Sequence, residues 1–370
     1  MKYVVTSRLK AYVPRELTKL ALVFALLMLP VALPNAQEPE TEAPVSAPEP
    51  TVTEIEIVHK VMGTTDRALE YLARKQQPDG KWVANNGVDA VTLLAFLGRG
   101  HVPGRGPFRE VVDRAKDHIL STQREDGYFV SAMGSGRMYG HALATLAMAE
   151  TYGMDPDPRV EEALRKAVDL IVNVQSPNGG WRYEPTPGDH DLSVTVMQVV
   201  ALRAANNAEI PVPEETINKA VEYVHSCNHK ESGGFGYQPG RGGSPPMSAA
   251  GVLSLQLLGK YDDPLITPAL EYLKKTPVHW NAQGSSFFFY FHYYAIQAEY
   301  QAGGDYWSAW HPRVREVLLA NQKADGSWEA PPGSNHEAKI DTVGPDNIYA
   351  TAMACLVLEI YFHFLPAYQR

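Results

Sequence analysis

The 370-residue chain is poor in cysteine, in clustered positive charge and in apolar runs long enough to cross a membrane. Only two cysteines occur, Cys227 and Cys355, which excludes a disulfide framework, so burial in a large core has to stabilise the fold. The formal net charge is −9, and no dense stripe of lysine and arginine is present, which argues against a nucleic-acid-binding surface. The apolar run at residues 20–33 has about 14 residues, fewer than the roughly 20 that span a bilayer.

The amino-terminal segment has the pattern of a secretory signal peptide. Five basic residues precede the apolar run, and Ala36 follows it as a small residue suited to cleavage. We therefore expect residues 1–36 to direct export to the periplasm or the outside of the cell, with an uncleaved membrane anchor as the open alternative. Residues 37–53, rich in Glu and Pro, are expected to form a disordered linker, and residues 54–370 to form one domain.

A glutamine, a glycine four residues later and an aromatic residue two further on recur along the chain. The four complete copies are Gln76/Gly80/Trp82, Gln123/Gly127/Phe129, Gln175/Gly179/Trp181 and Gln322/Gly326/Trp328. A fifth copy, Asn228/Gly233/Phe235, carries one inserted residue, and the doubled gap before the last copy indicates an eroded copy near residues 275–280. Recurrence at a spacing of about 50 residues is typical of repeat architectures, so we expect six structural repeats.

Each copy lies between two helical patterns. The segment before it is amphipathic, as in a helix with one wet face, and in the last repeat this segment starts at Pro312, a residue tolerated at a helix start. The segment after it is apolar nearly all round, as in a helix buried on every side. These inner segments are residues 88–97, 141–152, 192–204, 248–258, 293–300 and 349–362. Since an open array needs a polar end and the last inner segment is apolar, the sequence predicts an all-α fold closed into an α/α toroid, with six inner helices inside six outer ones.

These turns resemble the QW repeats of squalene-hopene cyclases and of related prenyltransferase β-subunits, over roughly residues 60–365. Residues 179–195 resemble the segment that leads into the D-x-D-D-T-A acid motif of the cyclases. In that family the middle Asp protonates an alkene, and by position Asp189 matches the first Asp and Asp191 the middle one. Leu192 replaces the third Asp, and Ser193-Val194 replaces the following Thr-Ala. The Asp-x-Cys pair with which the prenyltransferases hold zinc does not occur, so no metal and no cofactor are expected.

The inner helices of such a ring begin at one mouth of a central funnel, where free N–H groups and polar side chains gather, and we expect the functional site there. Asp191 is either the N-cap of its helix or a functional acid kept neutral by burial and by Asp189, and the sequence leaves both open. The catalytic candidates are Asp191 and Asp189, and the binding candidates are Asp89, His141, Tyr183, His292, Tyr293 and Tyr349.

Two functions fit these patterns. The first is an exported toroid that binds an apolar or polymeric ligand in its central funnel, because the fold signal is strong and the acid motif is incomplete. The second is an enzyme of the terpene cyclase or isomerase type, in which Asp191 is the general acid and Asp189 assists it. No nucleic-acid partner is expected, whereas peripheral contact with a membrane and the oligomeric state stay open.

Overall fold

The computed structural model describes residues 52–130, 137–281, 287–342 and 346–362. Within these ranges the chain forms thirteen α-helices, a 3-10 turn at Ile360–Phe362 and no β-strand. The predicted signal peptide and nearly all of the predicted linker lie outside the described residues. No helix in the described part of the chain is long and apolar enough to cross a membrane.

The helices alternate between an outer and an inner layer. In chain order they are α1 (Val52–Lys75), α2 (Asn86–Gly98), α3 (Arg109–Ser121), α4 (Arg137–Met154), α5 (Pro158–Asn173), α6 (Leu192–Asn207), α7 (Glu214–Ser226), α8 (Pro245–Leu257), α9 (Ile266–Lys274), α10 (Phe288–Ala302), α11 (Gly304–Ala320), α12 (Asn335–Thr342) and α13 (Ile348–Glu359). The inner helices are α2, α4, α6, α8, α10 and α13. The short α12 belongs to neither layer and precedes the last inner helix.

The inner helices form a closed ring, because each packs on the next and α13 packs on α2. The first outer helix, α1, packs on α13, so the first and last repeats of the domain meet. Every residue of α2 is buried, as expected for a helix that is apolar on all sides. The predicted α/α toroid of six helical hairpins is confirmed.

Each glutamine of the recurring motif joins its own turn, hereafter a repeat turn, to the next outer helix. The side chain of Gln175 donates to the Gly179 carbonyl at 2.8 Å and to the Thr216 carbonyl on α7 at 3.0 Å. Gln123 makes the same pair of bonds one repeat earlier, and Gln76 makes it two repeats earlier. In the last repeat turn Gln322 donates to Gly326 and to Thr64 of α1, and these bonds close the ring.

The glycine of the repeat turn is required by both its conformation and its surroundings. Gly179 has φ of 91°, a region that side chains with a Cβ avoid. A Cβ built there would lie 2.0 Å from the carbonyl oxygen of Lys219, because the turn rests directly on the backbone of α7. The aromatic residue then locks the turn onto the preceding outer helix, since the Trp181 indole donates to the Ile171 carbonyl at 2.8 Å.

Some helix boundaries differ from the predicted ones. Helix α10 begins at Phe288 instead of residue 293, because the carboxylate of Glu337 accepts the first N–H groups of the helix. Pro312 lies inside α11 and not at its start, because the chain reverses at Gly303 (φ 68°) directly after α10. The eroded repeat copy keeps its aromatic residue, since Trp280 packs on the ring of Phe288 with centroids 5.2 Å apart.

Candidate functional site

A large cavity opens at the end of the ring where the inner helices begin. Its volume is about 1190 Å³, and its wall comes from the first turns of α2, α4, α6, α8, α10 and α13, from α12 and from the segment after α9. Apolar and aromatic side chains make most of the wall, among them Leu143, Met197, Met247, Phe287, Phe288, Tyr290, Phe291 and Tyr349. The cavity therefore suits an apolar occupant.

Tyrosine and serine hydroxyls make a polar patch on this wall. We call Tyr139, Tyr183, Ser193 and Tyr237 the hydroxyl cluster; all four line the cavity. The hydroxyls of Tyr139 and Ser193 are 2.5 Å apart, and so are those of Tyr183 and Tyr237. The Tyr290 hydroxyl donates to the Ser193 carbonyl at 3.2 Å, which brings α10 against α6 at this point.

Asp191 lies behind the hydroxyl cluster and does not line the cavity. Its side chain is fully buried and caps α6, because one carboxylate oxygen accepts the Val194 N–H at 2.9 Å and the Ser193 hydroxyl at 2.5 Å. The second oxygen lies 3.4 Å from Nε of Arg182. Burial raises the pKa of Asp191, while the hydrogen bonds from Ser193 and Val194 oppose the rise. The carboxyl thus meets the cavity wall at the Ser193 hydroxyl and at Tyr237, whose side chain also opposes the rise in pKa.

Asp189 lies on the outside of the loop, with 63% of its side chain exposed. Arg182 stands between the two acids, since its guanidinium is 3.3 Å from Asp189 and 3.4 Å from Asp191. The predicted pairing of two carboxylates around one proton is therefore corrected: a cation separates them, and only one of them is buried.

Asp89 and His141, predicted to bind ligand, support repeat turns instead and do not line the cavity. Asp89 accepts the backbone N–H of Trp82 at 2.7 Å, and His141 accepts that of Phe129 at 3.2 Å. Burial lowers the pKa of His141 to about 4, so its neutral ring can accept this bond. The same task falls, in the other repeats that show it, to Thr195, Ser248 and Thr351. The prediction is corrected because both side chains serve the buried N–H of the motif aromatic.

The remaining candidates divide between wall and core. Tyr183, His292 and Tyr349 line the cavity. Tyr293 does not; its side chain is buried against Tyr294, with ring centroids 5.0 Å apart. Burial, together with the charge of Arg313, lowers the pKa of His292 to about 3, so the ring is neutral.

The sequence prediction missed Glu337, a buried carboxyl in the cavity wall on α12. Its two oxygens accept the N–H groups of Phe288 at 2.7 Å and of Tyr290 at 2.8 Å, and so cap α10 from a distant part of the chain. Burial raises the pKa of Glu337 to about 7, although these backbone bonds oppose the rise. The available signal was the unusually long connection between Trp328 and α13, which leaves room for an extra element.

The segment that holds Asp189 and Asp191 is similar to known proteins. The model of the squalene-hopene cyclase N-terminal domain matches residues 112–229, which include Asp189 and Asp191. A drimenyl diphosphate synthase from Streptomyces showdoensis is 30% identical over 162 residues, covering 40% of this chain and 30% of that protein. The type II terpene cyclase MstE from Scytonema superposes with a TM-score of 0.55. The expected resemblance to squalene-hopene cyclases is thus confirmed over residues 112–229.

The solved structures that match share the fold at low sequence identity. MstE, a variant solved with geranylgeranyl dihydroxybenzoate, shares 15% of residues, with 82% of this chain and 98% of that chain covered. An α-1,6-mannanase from Salegentibacter has a TM-score of 0.59 at 10% identity, over 81% of this chain and 98% of its own. At such identities the structures show the fold alone. The chain spans less than a third of the length of the curated relatives it matches first.

Proposed function

We propose that this protein binds an apolar, chain-like ligand inside its ring. The observation that carries the proposal is the cavity of about 1190 Å³, somewhat larger than ordinary ligand pockets, with its largely aromatic and aliphatic wall. Between the apolar and the polymeric ligand that the sequence left open, this wall favours the apolar one. A glycan needs many directed hydrogen bonds, whereas most of the exposed wall area of this cavity is apolar.

The relatives suggest which apolar chains to test first. The drimenyl diphosphate synthase is named for a terpenoid product, and MstE was solved with a ligand carrying a geranylgeranyl chain. Isoprenoid chains are thus the ligand class that we propose for this protein. The mannanase shares the ring without this chemistry, so an oligosaccharide makes a suitable negative probe.

The test is to titrate the domain with geranylgeraniol, squalene and α-1,6-mannotriose, with native mass spectrometry and tryptophan fluorescence as readouts. Saturable binding of an isoprenoid and none of the sugar is expected. Met197→Trp places a large ring in the cavity wall and is expected to weaken isoprenoid binding at least about tenfold. Tyr261→Trp, at an exposed position outside the cavity, is the matched control and leaves binding unchanged. Absence of isoprenoid binding, or equal binding by Met197→Trp, contradicts the proposal.

A second candidate function is alkene protonation with Asp191 as the general acid, in a terpene cyclase or isomerase reaction. Its support is the match of Asp191 to the family's acid and the burial that raises its pKa. Its difficulty is geometric, because Asp191 caps α6 beside Arg182 and does not line the cavity, so a proton has to pass through the hydroxyl of Ser193 or Tyr237 to reach a ligand. Incubation with squalene and geranylgeranyl substrates, followed by mass spectrometry, tests it. Cyclised product that Asp191→Asn abolishes and Asp189→Asn retains would establish this candidate, and no product in the wild type would end it.

We also propose that the domain acts after export. The support is the basic and then apolar pattern of residues 1–36. Expression of the full chain followed by amino-terminal sequencing of the exported protein tests it, and a mature terminus near residue 37 is expected. A full-length chain retained inside the cell contradicts it.

A further inference from the structure

We propose that the hydroxyl cluster is a subsite for the neutral hydroxyl head group of an isoprenoid-type alcohol, an inference that rests on the proposed function. The cluster is a hydrogen-bonded patch beside the aromatic and aliphatic part of the wall, and it ends on a fully buried carboxylate. The order of its bonds decides which protons are already used and which lone pairs remain for a ligand.

Asp191 is the fixed end of the hydrogen-bond network. A carboxylate accepts and does not donate, so the bond of 2.5 Å between Ser193 and Asp191 uses the Ser193 proton. The Val194 N–H and the nearby Arg182 both favour the ionised form of this carboxyl. The Ser193 hydroxyl therefore points away from the cavity and has only lone pairs to offer its other neighbour.

Tyr139 is the next member of the network after Ser193. Because the Ser193 proton is used, the bond of 2.5 Å between Tyr139 and Ser193 requires Tyr139 to donate. The phenol oxygen of Tyr139 then keeps a lone pair and has no proton for a ligand. The wall at this point accepts hydrogen bonds and does not donate them.

Two arginines lie beside the hydroxyl cluster. The Arg182 guanidinium lies over the ring of Tyr183 at 4.6 Å and near that of Tyr237 at 5.8 Å, and Arg137 lines the same side of the cavity. Each guanidinium is already paired, Arg137 with Glu184 and Arg182 with Asp189 and Asp191, so the cluster offers no unpaired charge to an ionic head group. An anionic or carbonyl head group meets a lone pair and no donor at Tyr139. A neutral alcohol, which donates one proton, fits both conditions.

The experiment compares two probes of the same chain length, geranylgeraniol and geranylgeranyl methyl ether, by titration calorimetry on the wild-type domain. One neutral hydrogen bond contributes about 0.5–1.5 kcal/mol, so the alcohol is expected to bind about three- to tenfold more tightly than the ether. Equal binding of the two probes overturns the inference and leaves the proposed function standing. Binding of neither probe overturns both.

Two variants locate the effect. Tyr139→Phe removes the accepting oxygen, so the preference for the alcohol is expected to disappear while the affinity for the ether stays the same. Ser193→Ala releases the Tyr139 proton for the ligand, so the ether is expected to bind more tightly than it does to the wild type. Tyr261→Phe, which changes an exposed tyrosine outside the cavity, is the control and keeps the preference. Unchanged preference in both cluster variants contradicts the inference, and urea midpoints verify that all variants are folded.

Discussion

The repeat turns and the cavity wall are built from the same six hairpins, yet they differ in what repeats. In the turns the same bonds return from hairpin to hairpin, as with the pair made by Gln175 and by Gln322. In the wall each hairpin contributes different side chains. The bonds that repeat are therefore those that every hairpin needs in order to pack. The wall side chains that do not repeat are the candidates for binding a ligand. On α6 the two uses meet, since Thr195 serves the turn and Ser193 serves the wall.

The largest expected effect on stability comes from the glycine of a repeat turn. Gly179→Ala forces a Cβ against the Lys219 carbonyl at a positive φ, so we expect a loss of about 3 kcal/mol or more in unfolding free energy. Gly188→Ala is the matched control in the loop of the same repeat, where a Cβ meets nothing within 4 Å, and a change within about 0.5 kcal/mol is expected. Urea denaturation measures both. Equal losses would remove the distinction between a required and a tolerated glycine.

The same distinction explains what could be predicted from the sequence. The ring followed from the spacing of the motif and from the apolar inner segments, because these patterns depend on local backbone needs. Asp89 and His141 were misplaced because their partners, the N–H groups of the motif aromatics, are visible only once the turn is folded. Glu337 was missed because it caps α10 from 47–49 residues away, and no local pattern records such a contact.

The next effect concerns two buried acids at opposite ends of α10. Glu299, near the carboxyl end, is 1% exposed, and neither of its oxygens has a hydrogen-bond partner within the described ranges. Burial, and then the charge of Glu271, raise its pKa to about 8, whereas that of the wall residue Glu337 is raised to about 7. Both values exceed that of the unfolded chain, about 4.3, so the folded state holds these protons more tightly. The stability that these two groups contribute is thus fully present below about pH 4.3. It falls as pH rises above that value, and the fall ends near pH 7 for Glu337 and near pH 8 for Glu299.

The measurement is the urea midpoint of wild type and Glu299→Gln between pH 5 and 9. Each titrating group lowers stability by up to about 1.4 kcal/mol per pH unit. The variant is expected to show about half of the wild-type slope from pH 5 to 7, where both acids contribute, and no further fall from pH 7 to 8. A variant that follows the wild-type profile at every pH would show that Glu299 does not hold its proton in the folded state.

A smaller effect tests ring closure against an internal repeat turn. Gln322→Ala removes the bonds to Thr64 and Gly326, and Gln123→Ala removes the equivalent bonds to Ala163 and Gly127. In a closed ring the two changes are equivalent, so each is expected to cost about 1–2 kcal/mol in unfolding free energy. Urea denaturation compares them directly. If only Gln123→Ala destabilised the domain, the contact between the last repeat turn and α1 would not exist in solution.

The smallest expected loss of stability comes from the wall. The side chain of Phe287 lines the cavity and stacks on His336, with ring centroids 5.0 Å apart, but the residue is 38% exposed. Because more than a third of its area stays exposed in the folded chain, Phe287→Ala is expected to lower the unfolding free energy by only about 0.5–1 kcal/mol. The exposed part of its ring lies in the cavity wall, where a ligand covers it, so the affinity for geranylgeraniol is expected to fall about five- to thirtyfold. Tyr261→Ala changes an aromatic residue of the same exposure, 38%, that lies outside the cavity, and both quantities should stay near those of the wild type. A Phe287 variant that loses stability without losing affinity would assign this residue to the packing of the ring and take it out of the binding wall.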